Sequence, residues 1–421
     1  MDLFVVFTIL ITLTALFSFV NEAFIKLPTT IGVMLASLVS SILIITFGYL
    51  GFGNVDWAVE LVKAADFNDI FMNGMLSFLL FAGASSVNID DLGEYKWTIS
   101  HLATLGMIIA TFLTGVVVWW VFGAIGVSLP LIYALIFGAI ISPIDAVIVL
   151  KLFRRIKPGK TLESIISGES LFNDAVAVVL FVLFTEIASG ETQVSFLHIV
   201  EFFAKEALGG LFLGMALGYV SQRLILETIK RSPDGRIVVA LITLSLVAGG
   251  YLLAELLDVS SPLTCVVAGL FLARRRRFIP DSADHVRSYV KSLWEVIDDV
   301  MNAILFVLIG LEAIVLDLQK PYIICGLIAI PLITAARYIS VELPLVFLKL
   351  FRHIPSLSGF IMTWSGIRGG VSIALALGLD DSPQRDLIVI MTYVVVVFSI
   401  IVQGLTLENA LKWNRLRTNS K

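Results

Sequence analysis

The sequence predicts an all-α polytopic membrane protein, and three observations carry that prediction. The 421 residues are 58% hydrophobic and only 15% charged, against about 25% charged in soluble domains, and the mean hydropathy is +0.98. Apolar stretches near the 20-residue length needed to cross a bilayer recur along the whole chain. The basic residues sort themselves between alternate loops, as they do where a chain threads back and forth through a membrane.

The apolar stretches give thirteen spans, at 3–20, 29–50, 70–88, 98–122, 129–152, 164–188, 198–224, 236–257, 262–273, 294–316, 322–349, 359–379 and 386–409. The ninth is short. Residues 3–20 are read as a span because no basic stretch or small-residue cleavage site accompanies them. The loops after odd-numbered spans hold 23 of the 29 Lys and Arg, among them Lys151, Lys157, Arg274 to Arg277, Arg352 and Lys421. The loops after even-numbered spans hold Lys63, Lys320 and Arg385. This places the N-terminus outside and the C-terminus in the cytoplasm of a plasma (inner) membrane, multi-pass. One span more or fewer scrambles the separation. Lys205, Arg337 and Arg368 remain, each inside a span.

Residues 1–421 read as a single membrane domain. Cys265 and Cys325 lie in apolar sequence and fit small core residues. No cofactor, metalloenzyme site or nucleic-acid partner is implied; the partner that the composition requires is the lipid bilayer.

Two spans have interrupted centres. Span five carries Ile141-Ser142-Pro143-Ile144-Asp145-Ala146. Pro143 has no N–H and clashes with the preceding turn, so the helix kinks or unwinds there. Span twelve carries Ser365-Gly366-Ile367-Arg368-Gly369-Gly370, where glycines weaken a helix. Irregular backbone at membrane depth is tolerated where protein buries it or a cavity adjoins it. Spans five and twelve cross in opposite directions, so spans 4–6 and 11–13 read as two inverted repeats with crossing discontinuous helices, a transporter pattern. Asp145 is expected to compensate the positive half-helix N-termini at the crossing, and Arg368 the negative C-termini. The bland alternative is a simple proline kink beside a small-residue packing face.

Span six opens with Gly168-Glu169-Ser170-Leu171-Phe172-Asn173-Asp174. Ser170 and Asp174 are four apart and share one helix face, as do Glu169 and Asn173. A carboxylate at membrane depth is costly and is by default a functional candidate. Oxygens of Ser170 and Asp174, with carbonyls freed at the span-five break around Ile144 and Asp145, suit a hard monovalent or divalent cation. Asp174 can equally hold a proton, because desolvation disfavours a charged carboxylate. A group that takes either guest but not both exchanges them by competition. Glu169 suits a stranded cation, with Arg337 the leading partner. Lys205 is expected to pair locally with Glu201 or Glu206. Asp298 and Asp299 are expected to sit at the N-terminus of span ten, and Glu255, Glu312 and Glu342 at solvated rims.

These residues resemble a known family. Gly-Glu-Ser-Leu-Phe-Asn-Asp at 168–174, Ser-Pro-Ile-Asp-Ala-Val at 142–147 and Gly-Ile-Arg-Gly-Gly-Val-Ser at 366–372 look like signatures of the cation/proton antiporter-1 family, and the likeness extends over essentially the whole chain, including Leu79 to Ala84. The resemblance implies a homodimer in which a core bundle, about 98–188 and 322–409, moves against a dimerisation bundle, about 1–88 and 198–316. It implies that Asp174 binds sodium or the proton, that Ser170 can ligate the ion, that Asn173 marks electroneutral exchange, and that Glu169 and Arg337 form a structural pair. Asp145 and Arg368 match the family's charges at the crossing. Two positions depart from the pattern: Ile144 stands where the family often has Thr, and Ala82 where some archaeal members have a Glu ligand.

The function expected is electroneutral exchange of sodium or lithium for a proton on Asp174, with alternating access by movement of the core. Rivals are a potassium/proton antiporter, a sodium-coupled symporter of a small solute and a bare cation channel. A hydrolase built on Ser170 lacks a base, because His101, His198, His285 and His353 all lie at or beyond span ends, and no Gly-x-Ser-x-Gly elbow is present.

Overall fold

A computed structural model describes residues 3–50, 55–87, 89–156, 159–190, 196–232, 234–275, 284–351 and 359–419. Lys157, Arg276, Arg277, Arg352, His353 and Lys421 lie outside them. Among the described residues every regular element is a helix.

α1 (Leu3–Val20) runs through a π-helical turn into a left-handed residue, Lys26 with φ 57°, and α2 (Thr29–Tyr49) starts behind Pro28. The buried Asn21 amide holds this reversal, donating to Leu27 O at 3.0 Å and accepting from Leu27 N at 3.3 Å. Only glycine fits opposite, since a Cβ on Gly32 would stand on the Asn21 side chain. α3 (Asp56–Ala65), a short amphipathic helix, lies in the connection between spans two and three. α4 (Phe67–Asp69), a π-helical turn at 70–75 and α5 (Leu76–Ser86) form span three. α6 (Ile89–Glu94) and α7 (Lys96–His101) lead through another π-helical turn into α8 (Met107–Ala124).

Span five is broken outright. α9 (Leu131–Ile141) and α10 (Val147–Ile156) are separated by non-helical backbone at 142–146. α11 (Lys160–Ser189), α12 (Phe196–Arg231), α13 (Arg236–Leu256), α14 (Ser261–Arg275), α15 (Asp284–Glu312) and α16 (Lys320–Phe351) follow. α17 (Gly359–Trp364) and α18 (Gly370–Leu377) flank the second break, at 365–369. α19 (Arg385–Phe398) passes through a π-helical turn at Ser399–Gln403 into α20 (Gly404–Asn419).

Nine helices are long and apolar enough to cross a membrane among the described residues. The other four expected spans coincide with α9 plus α10, α14, α15, and α17 plus α18.

Packing divides into two groups. α8, α9, α11, α16, α18 and α19 contact one another around the breaks, while α5, α12, α13 and α14 pack together and α15 lies on α2 and α5. Without water inside the bilayer, close van der Waals approach and interhelical hydrogen bonds hold helices together. α9 meets α8 where a Cβ on Gly138 would come within 2.3 Å of Thr111 O. α2 is tied to α15 by Ser37 Oγ donating to Val307 O and Ser41 Oγ to Gly310 O, both at 2.8 Å.

Four charged residues have surroundings that differ from expectation. α15 begins at Asp284, so Asp298 and Asp299 stand well inside a helix rather than at its N-terminus. The helix starts early because 284–293, though polar, continues the same amphipathic face. Lys205 stands within electrostatic reach of its expected neighbour Glu206 and also reaches across to Asp258 at 3.5 Å, because Asp258 occupies a left-handed turn (φ 48°) between α13 and α14 that brings its carboxylate over α12. Glu312 is buried, not at a solvated rim.

Candidate functional site

The two unwound stretches cross and bond to each other. Asp145 N–H donates to Ile367 O at 2.7 Å, so backbone groups freed by Pro143 on one side and Gly366 on the other satisfy each other. The Asp145 carboxylate accepts from Val147 N–H at 2.8 Å, at the first turn of α10. The same carboxylate lies against Gly369, immediately before α18; a Cβ there would come within 2.1 Å of Oδ2. One anion therefore serves two helix N-termini, where the helix dipole favours negative charge. Arg368, 4% exposed, donates from Nη1 to Ser142 O and to Pro143 O (3.0 Å), covering carbonyls left open at the C-terminal end of α9. Its backbone N–H donates to Ser399 Oγ at 2.9 Å, and Ser399 in turn donates to Gln403 Oε1 at 2.6 Å. The π-helical turn of 399–403 thus supports the break from outside.

α11 lies beside this crossing. Ser170 Oγ accepts from Ala146 N–H at 3.2 Å, fixing α11 to the start of α10. Asp174, one turn on, lines the same cavity as Ser170, Ile144 and Asp145, and stands within electrostatic reach of Asp145. Glu169 and Arg337, 1% and 4% exposed at their side chains, meet at 2.6 Å and join α11 to α16. Asn173 is buried next to Asp174 but does not line the cavity, and its Oδ1 has no hydrogen-bond partner among the described residues. Ala82 also faces away from the cavity, packing with Phe81, Val247, Cys265 and Trp294; the α5 residues that line it include Leu79, Leu80 and Gly83. Among the expected site residues, Asp174, Ser170, Ile144 and Asp145 come together on one cavity, whereas Asn173, Glu169 and Arg337 form its support.

The cavity measures about 270 Å³. Its mouth is lined by residues that sequence reasoning assigned no part in a site: Lys151, midway along α10, and Glu295, Asp298, Asp299 and Asn302 on α15. Lys151 Nζ bridges to Asp299 at 2.8 Å with 28% and 65% of the side chains exposed, and Asn302 Nδ2 donates to Asp298 at 3.0 Å. The signal was available. Positions 295, 298, 299 and 302 fall at helical spacing on one face, a polar stripe leading into an apolar helix. The arrangement can draw a cation through an acidic mouth to a pair of carboxylates at the crossing.

The fold and these motifs have relatives. The model of the family described as sodium/hydrogen exchanger, transmembrane, matches residues 3–413. The chain belongs to that family. It is 40% identical over 404 residues to the Na(+)/H(+) antiporter NhaP of Pseudomonas aeruginosa, covering 94% of this chain and 93% of that one. It is 31% identical over 398 residues to the Na(+)/H(+) antiporter NhaH of Halobacillus aidingensis, covering 92% of each. Its fold resembles the structure of the sodium proton antiporter MjNhaP1 from Methanocaldococcus jannaschii at pH 8, with a TM-score of 0.72 over 98% of this chain and 99% of that one, at 21% identity. Membership in this exchanger family makes the chain a membrane-embedded ion transporter.

Proposed function

We propose that this chain exchanges one sodium or lithium ion for one proton across a plasma membrane, with Asp174 holding either guest in competition. The observation that carries the reading is Asp174 itself: a carboxylate that lines a cavity at a helix crossing together with Ser170, Ile144 and Asp145, in a member of the sodium/hydrogen exchanger family. Hard cations take oxygen ligands, and unwound backbone at the centre of a transporter supplies them. Relatives that share 31–40% of residues are named Na(+)/H(+) antiporters, which supports sodium as the ion.

The residues divide the work as follows. Asp174 binds the transported cation or proton. Ser170 and the carbonyls at 144–145 complete the oxygen shell on the cation, and Ile144 contributes no side-chain oxygen. Asp145 and Arg368 hold the two breaks open by neutralising the half-helix ends. The Glu169–Arg337 pair keeps α11 in register with α16, so that Asp174 is presented at a fixed depth. The acidic mouth on α15 belongs to the cytoplasmic face under the loop-charge orientation, with the N-terminus outside and thirteen crossings. The bundle of 98–188 and 322–409 then carries the loaded carboxylate past the bundle of 1–88 and 198–316, which also makes the homodimer contact.

If a single cation replaces a single proton on one carboxylate, both loaded carriers have the same charge. A net charge crossing 100 mV would add about 2.3 kcal/mol; here that contribution vanishes and only the two chemical gradients set direction. The test is proton flux in proteoliposomes with sodium, lithium and potassium supplied separately under clamped voltage. Sodium- and lithium-driven flux that is indifferent to voltage and lost in Asp174→Asn is expected. Sodium-dependent flux that persists in Asp174→Asn overturns the assignment. Flux driven by potassium alone moves the chain to potassium/proton exchange, and a voltage-dependent rate rejects the one-for-one stoichiometry.

A further inference from the structure

We infer that Ser372, on the second broken helix, is a side-chain ligand of the transported cation and sets the preference for small hard ions. The inference rests on the reading of Asp174 as the exchange site and adds to it a ligand from the opposite repeat.

Ser372 is the third residue of α18 and is 1% exposed. It lines the same cavity as Asp145, Ser170 and Asp174. It stands one turn beyond Gly369, the residue against which the Asp145 carboxylate rests. Its Oγ has no hydrogen-bond partner among the described residues.

That isolation is built into the fold. A serine or threonine inside a helix ordinarily spends its hydroxyl on the carbonyl three or four residues back. Thr14, Ser142, Thr264 and Ser340 do so in this chain. For Ser372 those carbonyls belong to Arg368 and Gly369, which lie in the unwound stretch before α18 begins. Across this break Ser372 Oγ bonds to neither carbonyl. A buried hydroxyl without a partner is costly, and a site beside two carboxylates supplies one: a cation accepts the oxygen lone pairs directly. The position also answers a shortage. Ile144 brings no oxygen to the cavity wall, and one lone pair of Ser170 Oγ is engaged by Ala146 N–H. A hydroxyl on the opposite half-helix makes up the deficit.

The experiment uses the full chain in proteoliposomes, with proton flux driven by sodium, lithium or thallium(I). Native protein, Ser372→Ala, Ser372→Thr, Ser372→Cys and Asp174→Asn are compared. Loss of one neutral oxygen ligand should raise the apparent KM for sodium about tenfold in Ser372→Ala, with the maximal rate within about twofold of native. Ser372→Thr, which keeps the oxygen, should restore the native KM. Ser372→Cys exchanges a hard oxygen for a soft sulfur in nearly the same volume, so selectivity for thallium over sodium should rise about tenfold. A purely structural role would not produce that selectivity change. It also carries the test if the alanine variant fails to assemble.

A Ser372→Ala protein with a sodium KM within about twofold of native, or one that loses rate at unchanged KM, overturns the assignment. So does a cysteine variant with native thallium-to-sodium selectivity. If native protein exchanges, Asp174→Asn does not and Ser372→Ala matches native, only the Ser372 inference falls. If native protein shows no cation-driven proton flux, the reading of Asp174 falls and takes this inference with it.

Discussion

The Glu169–Arg337 pair gives the sharpest test of how this membrane core is held. The two side chains are 1% and 4% exposed and meet at 2.6 Å, with both Glu169 oxygens and Arg337 Nε and Nη2 otherwise unbonded among the described residues. A pair this buried has lost its hydration, and attraction across one close contact offsets much of that loss. Removing one partner forfeits the attraction and leaves the other charge stranded. Arg337→Met should therefore cost about 3–5 kcal/mol. Replacing both, as Glu169→Met with Arg337→Met, removes the stranded charge and fills similar volume, so the double variant should recover at least about 3 kcal/mol of that loss. The assay is reversible SDS-titration unfolding in mixed micelles, applied to native protein, both single variants and the double. A single variant within about 1 kcal/mol of native, or a double variant no more stable than Arg337→Met, would refute the argument that mutual compensation of charge holds α11 to α16.

Three further outcomes follow from the geometry. Gly369→Ala puts a methyl group within 2.1 Å of Asp145 Oδ2; it should displace the carboxylate from the two helix N-termini and cut proton flux at least about tenfold while the protein still reaches the membrane, and native flux would contradict the tight crossing. Asp299→Asn removes a largely exposed partner of Lys151, so stability should stay within about 1 kcal/mol of native, while sodium capture slows about two- to threefold at low salt and recovers near 0.5 M; a salt-independent effect would rule out electrostatic attraction at the mouth. Competition on Asp174 fixes a sign for pH: fewer protons free the carboxylate, so the apparent sodium KM should fall by up to about tenfold per pH unit raised on the loading side, then level off, and a KM constant from about pH 6 to 9 would exclude a shared site.

Much of this architecture was legible because its causes are local. Pro143 and the glycines at 366, 369 and 370 break helices through their own backbone chemistry, and a lone Arg337 in apolar sequence announces that it needs a carboxylate. The sequence could not show which way each face turns. Ala82 sits beside Gly83 in the chain, yet Gly83 faces the cavity and Ala82 faces α14; a rotation of one residue in α5 decides that. Asp298 and Asp299 looked like helix-terminal charges because apolar content sets the expected start of span ten, whereas α15 forms ten residues earlier on its amphipathic face. Of the surroundings of Lys205 the sequence showed only the local half, Glu206, for a related reason. Neighbours four apart on α12 were visible, but a turn folded back from between α13 and α14 was not. The π-helical turns left no readable trace, since they depend on packing rather than on residue type.

The turn at Ser399–Gln403 accommodates one extra residue in the last long helix. Beyond it, α20 is set about 100° out of phase with the projection of α19. Trp364 Nε1 reaches Thr406 Oγ1 at 3.0 Å only with that offset in place. A single-residue deletion between 399 and 403 would rewind the segment as a regular helix and swing Thr406 round the axis. The C-terminal half-turns would then lose their docking point on α17 even though no residue that touches them had changed.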